Sequence, residues 1–225
     1  MESWVIRQYR KEDRSAIRRI AWETAFLGEP ADIFFENKEI VADFLTKYFT
    51  DYEPQSCFVA EKEGRVVGYV FGTQNIAVLR RAFGIKVFPR LLIKFIGNKN
   101  MLRKKNLLFF FNSLLSFLKG EFKMPDLFRD YPAVLHINIE KHFRNLGLGS
   151  RLIDTYLNYL AENRISGVHL ATLSERASHF FKKQGFDLLF KGSRSYFKHI
   201  LHKDIPIYIY GKRLNKSGDQ GGANI

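Results

Sequence analysis

The chain has 225 residues, 46% of them hydrophobic, which suits one domain carrying a long insertion. Its single cysteine, Cys57, excludes an internal disulfide, and no Cys, His, Asp or Glu cluster has metal-ligand spacing, so no catalytic metal is expected. The formal charge of +13 is uneven: twelve Lys or Arg face three acidic residues between Arg80 and Asp130, a local excess that suits an anionic partner or a solvated face.

Met1 to Tyr9 mixes Trp4 and Val5 with Glu2, Arg7 and Gln8 and lacks the apolar run of a secretory signal. The most apolar run, Leu107 to Leu118, is shorter than the roughly 20 residues needed to span a bilayer. A soluble, cytoplasmic protein is expected.

Val5 to Tyr9 alternates as a first strand. Asp13 caps a helix carrying Ile17, Ile20 and Ala21, and Glu39 to Phe49 repeats the helical pattern after the breaker Gly28-Glu29-Pro30. Cys57 to Glu61 and Val66 to Gly72 form a hairpin around a glycine turn. Residues 74 to 132 break the rhythm, and Pro89, Gly97 and Gly120 are expected to divide them into short helices. Val134 to Ile139 is a strand, followed by a turn and a helix from Gly147 to Glu162 with an apolar stripe of Leu148, Leu152, Tyr156 and Tyr159. Gly167 to Thr172 is the next strand. Ser174 to Gln184 is a helix stopped by Gly185, and Phe186 to Phe190 and Ile205 to Tyr210 close the fold. Lys216 to Ile225 reads as a disordered tail beyond a single domain of residues 1 to 215. Alternating helices and strands in the second half predict an α/β fold with a mixed sheet.

A strand, a glycine turn and a helix start make an anion site. The first-turn N–H groups lack partners and the helix dipole favours negative charge there. Here the turn reads Arg144-Asn145-Leu146-Gly147-Leu148-Gly149-Ser150. Arg-x-x-Gly-x-Gly is neither the dinucleotide fingerprint nor the nucleotide P-loop. His136 shares a strand face with Asn138, opposite Ile137 and Ile139, and has the pKa range for proton transfer near neutrality. It is the candidate base, against the alternative of a hydrogen-bonded structural histidine. Glu23, Glu29 and Asp32 flank the first helix break, where they could bind a cationic amine or be ordinary surface charges.

The stretch from Ile137 through Arg144-Asn145-Leu146-Gly147-Leu148-Gly149 to Ile153 resembles the pyrophosphate-binding motif of the GNAT acetyltransferase superfamily. Ser174 to Phe186, ending Gly-Phe, resembles its second motif. Asp130 to Ile137 also resembles a stretch in a subgroup that includes acetyltransferase-like domains attached to some hexosaminidases. The resemblance implies a GNAT acyl-CoA N-acyltransferase fold with a helical insertion between the third and fourth strands. It implies acetyl-CoA as co-substrate, bound between the fourth and fifth strands. Backbone at Ile137 and Ile139 would hold the pantetheine arm, and N–H groups from Arg144, Asn145, Leu146, Gly147, Leu148, Gly149 and Ser150 the pyrophosphate. An acceptor amine would attack directly. In the second motif Ser174 stands where Asn is common, and Phe181 where a Tyr usually protonates the thiolate. Ser178, one turn before Phe181, is a substitute acid or else a solvated helix residue. The alternative function is a catalytically weak or inactive acyl-CoA-binding module.

Within the insertion, Leu107, Leu108, Phe109, Phe110, Phe111, Leu114, Leu115, Phe117 and Leu118 make a helix apolar on most sides. Such a helix must be buried, dimerised or pressed on a membrane. A lid over the acceptor site, or packing against the domain, is expected over membrane contact, a homodimer is allowed, and no specific nucleic acid is expected.

Overall fold

The structure is a computed structural model that describes residues 4–214, the side chains of Lys99 and Asn100 excepted. Seven strands form one mixed sheet: β1 (Val5–Gln8), β2 (Cys57–Lys62), β3 (Arg65–Thr73), β4 (Ala133–Ile139), β5 (Gly167–Thr172), β6 (Asp187–Arg194) and β7 (Ile205–Arg213). Their order is β1-β2-β3-β4-β5-β7-β6. The β2–β3 hairpin turns at Glu63 and Gly64, with φ of 51° and 76°, the left-handed pair that suits strand twist. Neighbours are antiparallel except β4 and β5. That parallel pair needs a crossover, which α6 (Leu148–Glu162) supplies.

Both faces of the sheet are covered. On one side α6 and α7 (Glu175–Lys183) bury Leu148, Leu152, Tyr156 and Phe181 against Val70, Leu135, Leu170 and Tyr210. On the other, α1 (Arg14–Thr24) sets Ile17 and Ile20 on Val59, Tyr69 and Phe71, and Phe49 of α2 (Lys38–Tyr52) stacks on Phe71 at 4.3 Å. Asn37 caps α2, its Oδ1 accepting the Ile40 N–H at 3.0 Å. The predicted helix stripe on α6 is the buried one, except that Tyr159 is half-exposed and its hydroxyl accepts from Gln74 Nε2 at 2.7 Å. β6 runs four residues past the predicted end at Phe190, because β7 offers a matching ladder as far as Ile205 opposite Arg194.

Between β3 and β4 lie α3 (Ile76–Ala82), α4 (Phe88–Ile96) and α5 (Lys104–Leu118). Gly97 and Gly120 end α4 and α5 as expected, Gly120 at φ 75°. Pro89 does not divide the segment. A π-helical turn over Phe83–Val87 joins α3 to α4, and Pro89 sits in the first turn of α4, where its missing N–H costs nothing. The predicted tail, residues 216 to 225, lies outside the described residues.

Candidate active site

The strands part where the ligand motif begins. β4 and β5 pair only at Ala133 with Val168 and Val134 with His169, then diverge. On the other flank β4 stays paired with β3 up to Ile139 opposite Gly68, and Glu140 N–H donates to Val67 O at 2.9 Å. Antiparallel alternation turns the backbone groups of even-numbered residues toward β3 and those of Leu135, Ile137 and Ile139 toward the gap. The N–H and C=O of Ile137 therefore face an opening with no strand partner among the described residues. Buried Glu140 fixes this strand end, accepting from Arg19 of α1 and from Arg65 of β3, each at 2.6 Å.

The glycine turn lies at the wide end of the gap. Asn145 and Gly147 adopt φ of 65° and 78°, so the turn needs two left-handed residues, which Asn and Gly tolerate. Gly147 is the cap of α6 and no side chain bonds the helix start, so its first N–H groups point outward as free donors. A Cβ on Gly147 would meet nothing, whereas one on Gly149 would lie 3.0 Å from Phe180 and 3.5 Å from Ile139. Gly149 thus lets Phe180 of α7 approach α6 closely. Leu148 is buried in the core and Leu146 is exposed. Ser150 stands in the first turn of α6, half-buried.

The Arg144 side chain is a strut: Nε donates to Ile139 O at 2.9 Å and Nη2 to Gly28 O at 3.0 Å. This bond takes up the Ile139 carbonyl, leaving its N–H as the group open to a ligand. Burial and the nearby Arg176 hold the Arg144 guanidinium below its ordinary pKa. Arg176 reaches the turn from α7 and donates to Asn145 Oδ1 at 2.9 Å. It is a cation that sequence reasoning passed over, because the two residues meet only when α7 folds beside the turn.

His136 and Asn138 lie on the α1–α2 side of β4. Asn138 Nδ2 donates to Tyr69 Oη at 2.9 Å and to His136 Nε2 at 3.1 Å. With Nε2 accepting, the neutral ring carries its proton on Nδ1. The imidazole stacks on Phe71, centroids 5.2 Å apart, and burial pushes its pKa down to about 4. The ring is neutral at physiological pH and weakly basic. Tyr69 was absent from the sequence-based site because its place opposite Asn138 depends on the β3–β4 register. His169 is structural, its Nδ1 donating to Tyr131 O at 2.7 Å at the entry to β4.

The second motif opens with Ser174 capping α7, its Oγ accepting the Ala177 N–H at 3.3 Å. Ser178 is not the solvated residue of the alternative reading. It is buried, and its Oγ lies 2.8 Å from the Tyr210 hydroxyl on β7. Phe181 is also buried, against Phe186 and Tyr210, and has no proton to give.

On the α1–α2 side, aromatic rings from four segments converge. Phe34 lies 5.9 Å from Phe26, 4.8 Å from Phe109 of α5 and 5.1 Å from Phe197, which follows β6. The inner side of α5 is thereby docked, with buried Asn106 accepting the Glu36 N–H at 2.9 Å and Lys105 donating to Asp32 O at 2.9 Å. Glu29 is paired with Lys141 at 2.9 Å and Glu23 with Arg19 at 3.0 Å, so neither carboxylate is unpaired.

Comparison with known proteins shows the fold and the family. No curated protein matches by sequence. Among solved structures, one described as SsHAT superposes with a TM-score of 0.74 at 23% identity, covering 95% of this chain and 99% of that one. The polyamine N-acetyltransferase of Drosophila melanogaster, an enzyme that forms N-acetylagmatine, gives 0.60 at 16% identity over 94% and 100% of the two chains. The putative acetyltransferase yncA of Salmonella typhimurium, solved with its cofactor acetyl-CoA, gives 0.57 at 14% identity over 96% of each. The family model for the acetyltransferase (GNAT) family matches residues 14–186, from α1 through the glycine turn to the end of the second motif, and the chain belongs to that family.

Proposed function

We propose that the protein is an N-acetyltransferase that moves an acetyl group from acetyl-CoA to an amine of a small molecule or protein by direct attack. The observation that carries this reading is the gap between β4 and β5, edged by the unpaired backbone of Ile137 and closed at its wide end by the free N–H groups of α6. The relatives support it in kind: one was solved with acetyl-CoA, and another acetylates a polyamine.

Acetyl-CoA supplies an activated thioester carbonyl when bound. In this reading Ile137 and the Ile139 N–H hold the pantetheine arm, and the N–H groups from Gly147 to Ser150 hold the pyrophosphate, with Arg176 adding charge. Backbone N–H groups facing the gap stabilise the developing oxyanion. His136 receives the amine proton at Nε2 once Asn138 releases that nitrogen, directly or through water. Ser178, with Tyr210 behind it, gives a proton to the departing sulfur in place of the hydroxyl that Phe181 lacks.

The second reading, a weakly catalytic acyl-CoA-binding module, rests on two observations: Phe181 carries no acid, and the His136 pKa of about 4 makes a poor base. The two readings separate in steady-state kinetics with an amine panel. If His136 is the base, His136→Phe lowers kcat by about 10²–10⁴-fold with acetyl-CoA affinity unchanged. Ser178→Ala lowers kcat less, about tenfold, because a thiol of pKa roughly 8.5 leaves partly unaided. Turnover equal to wild type in both variants removes the assigned roles. Binding of acetyl-CoA without turnover of any amine favours the module.

A further inference from the structure

The helical segment between β3 and β4 is only half buried by its docking. Seventeen of the 23 large apolar side chains exposed among the described residues lie between Val78 and Met124, the others being Val5, Leu27, Ile33, Phe44, Leu146 and Leu188. α5 turns Phe109, Asn106 and Ser116 inward and leaves Phe110, Phe111, Phe117 and Leu118 more than half exposed. α4 does the same, burying Leu91 and exposing Ile93 and Ile96 at 71% and 76%. Phe95 of α4 and Phe110 of α5 join the two helices, ring centroids 5.8 Å apart, and exposed apolar side chains so concentrated in one segment mark an interaction site.

Charge selects the occupant. From Arg80 to Lys123 the chain has eleven Lys or Arg and one acidic residue, Glu121. Glu121 is turned inward, accepting the Ser195 N–H at 2.7 Å. Arg81 in α3, Lys104 at the start of α5 and Lys123 just after α5 are exposed. A second copy of this chain fits poorly: a two-fold interface sets the same patch against itself, and the cations would confront each other. An anionic bilayer fits both properties, since phenyl and aliphatic groups enter the headgroup–acyl boundary while Lys and Arg reach the phosphates. α5 is about 22 Å long at 1.5 Å per residue, short of a hydrocarbon core of about 30 Å, so it lies along the interface rather than across it. No helix among the described residues is long and apolar enough to cross a membrane.

We infer that the outer face of α4 and α5 docks the protein on an anionic membrane surface. The sequence alone favoured packing against the domain; the structure satisfies that for one side of the helices and leaves the other side for this use. The inference is independent of acyl transfer, because none of the docking residues belongs to the cofactor site.

The test is sedimentation of the full chain with phosphatidylcholine vesicles, with and without phosphatidylglycerol. Binding to the anionic vesicles is expected to be at least about tenfold stronger than to the neutral ones and to weaken in high salt. Combined Phe110→Ser, Phe111→Ser and Phe117→Ser substitutions are expected to lower that binding by about tenfold or more, and so are Arg81→Glu, Lys104→Glu and Lys123→Glu. All six positions are exposed, and unchanged acetyl-CoA affinity and circular dichroism control for folding. Failure to bind either vesicle, equal binding to both, or variants that bind like wild type would each overturn the inference. So would a self-association, seen by sedimentation equilibrium, that the phenylalanine substitutions abolish while vesicles stay unbound.

Discussion

At the residue scale, His136 is the side chain whose chemistry the fold alters most. Its unfolded pKa is about 6.5. In the folded protein, burial against Phe71 and Tyr69 lowers it to about 4. Below pH 6.5 the unfolded chain binds a proton that the folded chain refuses, so stability falls as pH drops from about 6.5 to 4 and then levels. The loss attributable to this ring is at most about 3 kcal/mol. His136→Phe keeps an aromatic ring on the stack and removes the titration. The difference in thermal midpoint between wild type and variant is therefore expected to depend on pH within that window and to be constant above it. A difference that does not vary with pH would show that the ring is not desolvated. Asp13 and Asp43, whose carboxylates are held low by hydrogen bonds from Arg7 and from Lys94 and Arg18, lose their contribution at lower pH and cancel in the comparison.

At the element scale, α5 divides into an inner and an outer side, and the two should respond differently to truncation. Phe109 contacts Phe34, Phe35 and Phe197, so Phe109→Ala is expected to cost about 2–3 kcal/mol, less than for a fully buried ring because it is half-exposed. Phe110→Ala should stay within about 0.5 kcal/mol. Chemical denaturation of the two variants checks this, and equal costs would mean that α5 is docked differently. The same helix shows what a sequence can and cannot carry. Its existence was legible because the fifteen residues Lys104–Leu118 contain no breaker. Its orientation was not, because apolar residues fall on most sides of the helix and no stripe marks the buried side. The glycine turn was readable since its conformation is local, set by Asn145, Gly147 and the helix that follows. The parting of β4 from β5 and the capture of Arg144 by Gly28 O were not, because they depend on which distant segments become neighbours. Pro89 misled for a related reason: a π-turn absorbs it without ending the helix, and nothing local distinguishes the two outcomes.

At the scale of the whole molecule, two surfaces divide the work. The middle of the sheet opens between β4 and β5 and presents backbone donors, and a basic, apolar flank built from α4 and α5 lies beyond the aromatic cluster around Phe34. The first lies within the residues matched by the acetyltransferase (GNAT) family model, and the acceptor is the part that the family leaves open. The central claim is that the glycine turn holds acetyl-CoA. Titration calorimetry of acetyl-CoA into wild type and Gly147→Trp tests it most directly. An indole at a left-handed position is strained and projects into the space before the α6 N-terminus, where a Cβ now meets nothing. Saturable binding to wild type is expected, with a loss of at least about a hundredfold in the variant and its folded circular dichroism spectrum retained. Wild type that does not bind acetyl-CoA, or a folded variant that binds it equally well, would rule out the glycine turn as the acetyl-CoA site.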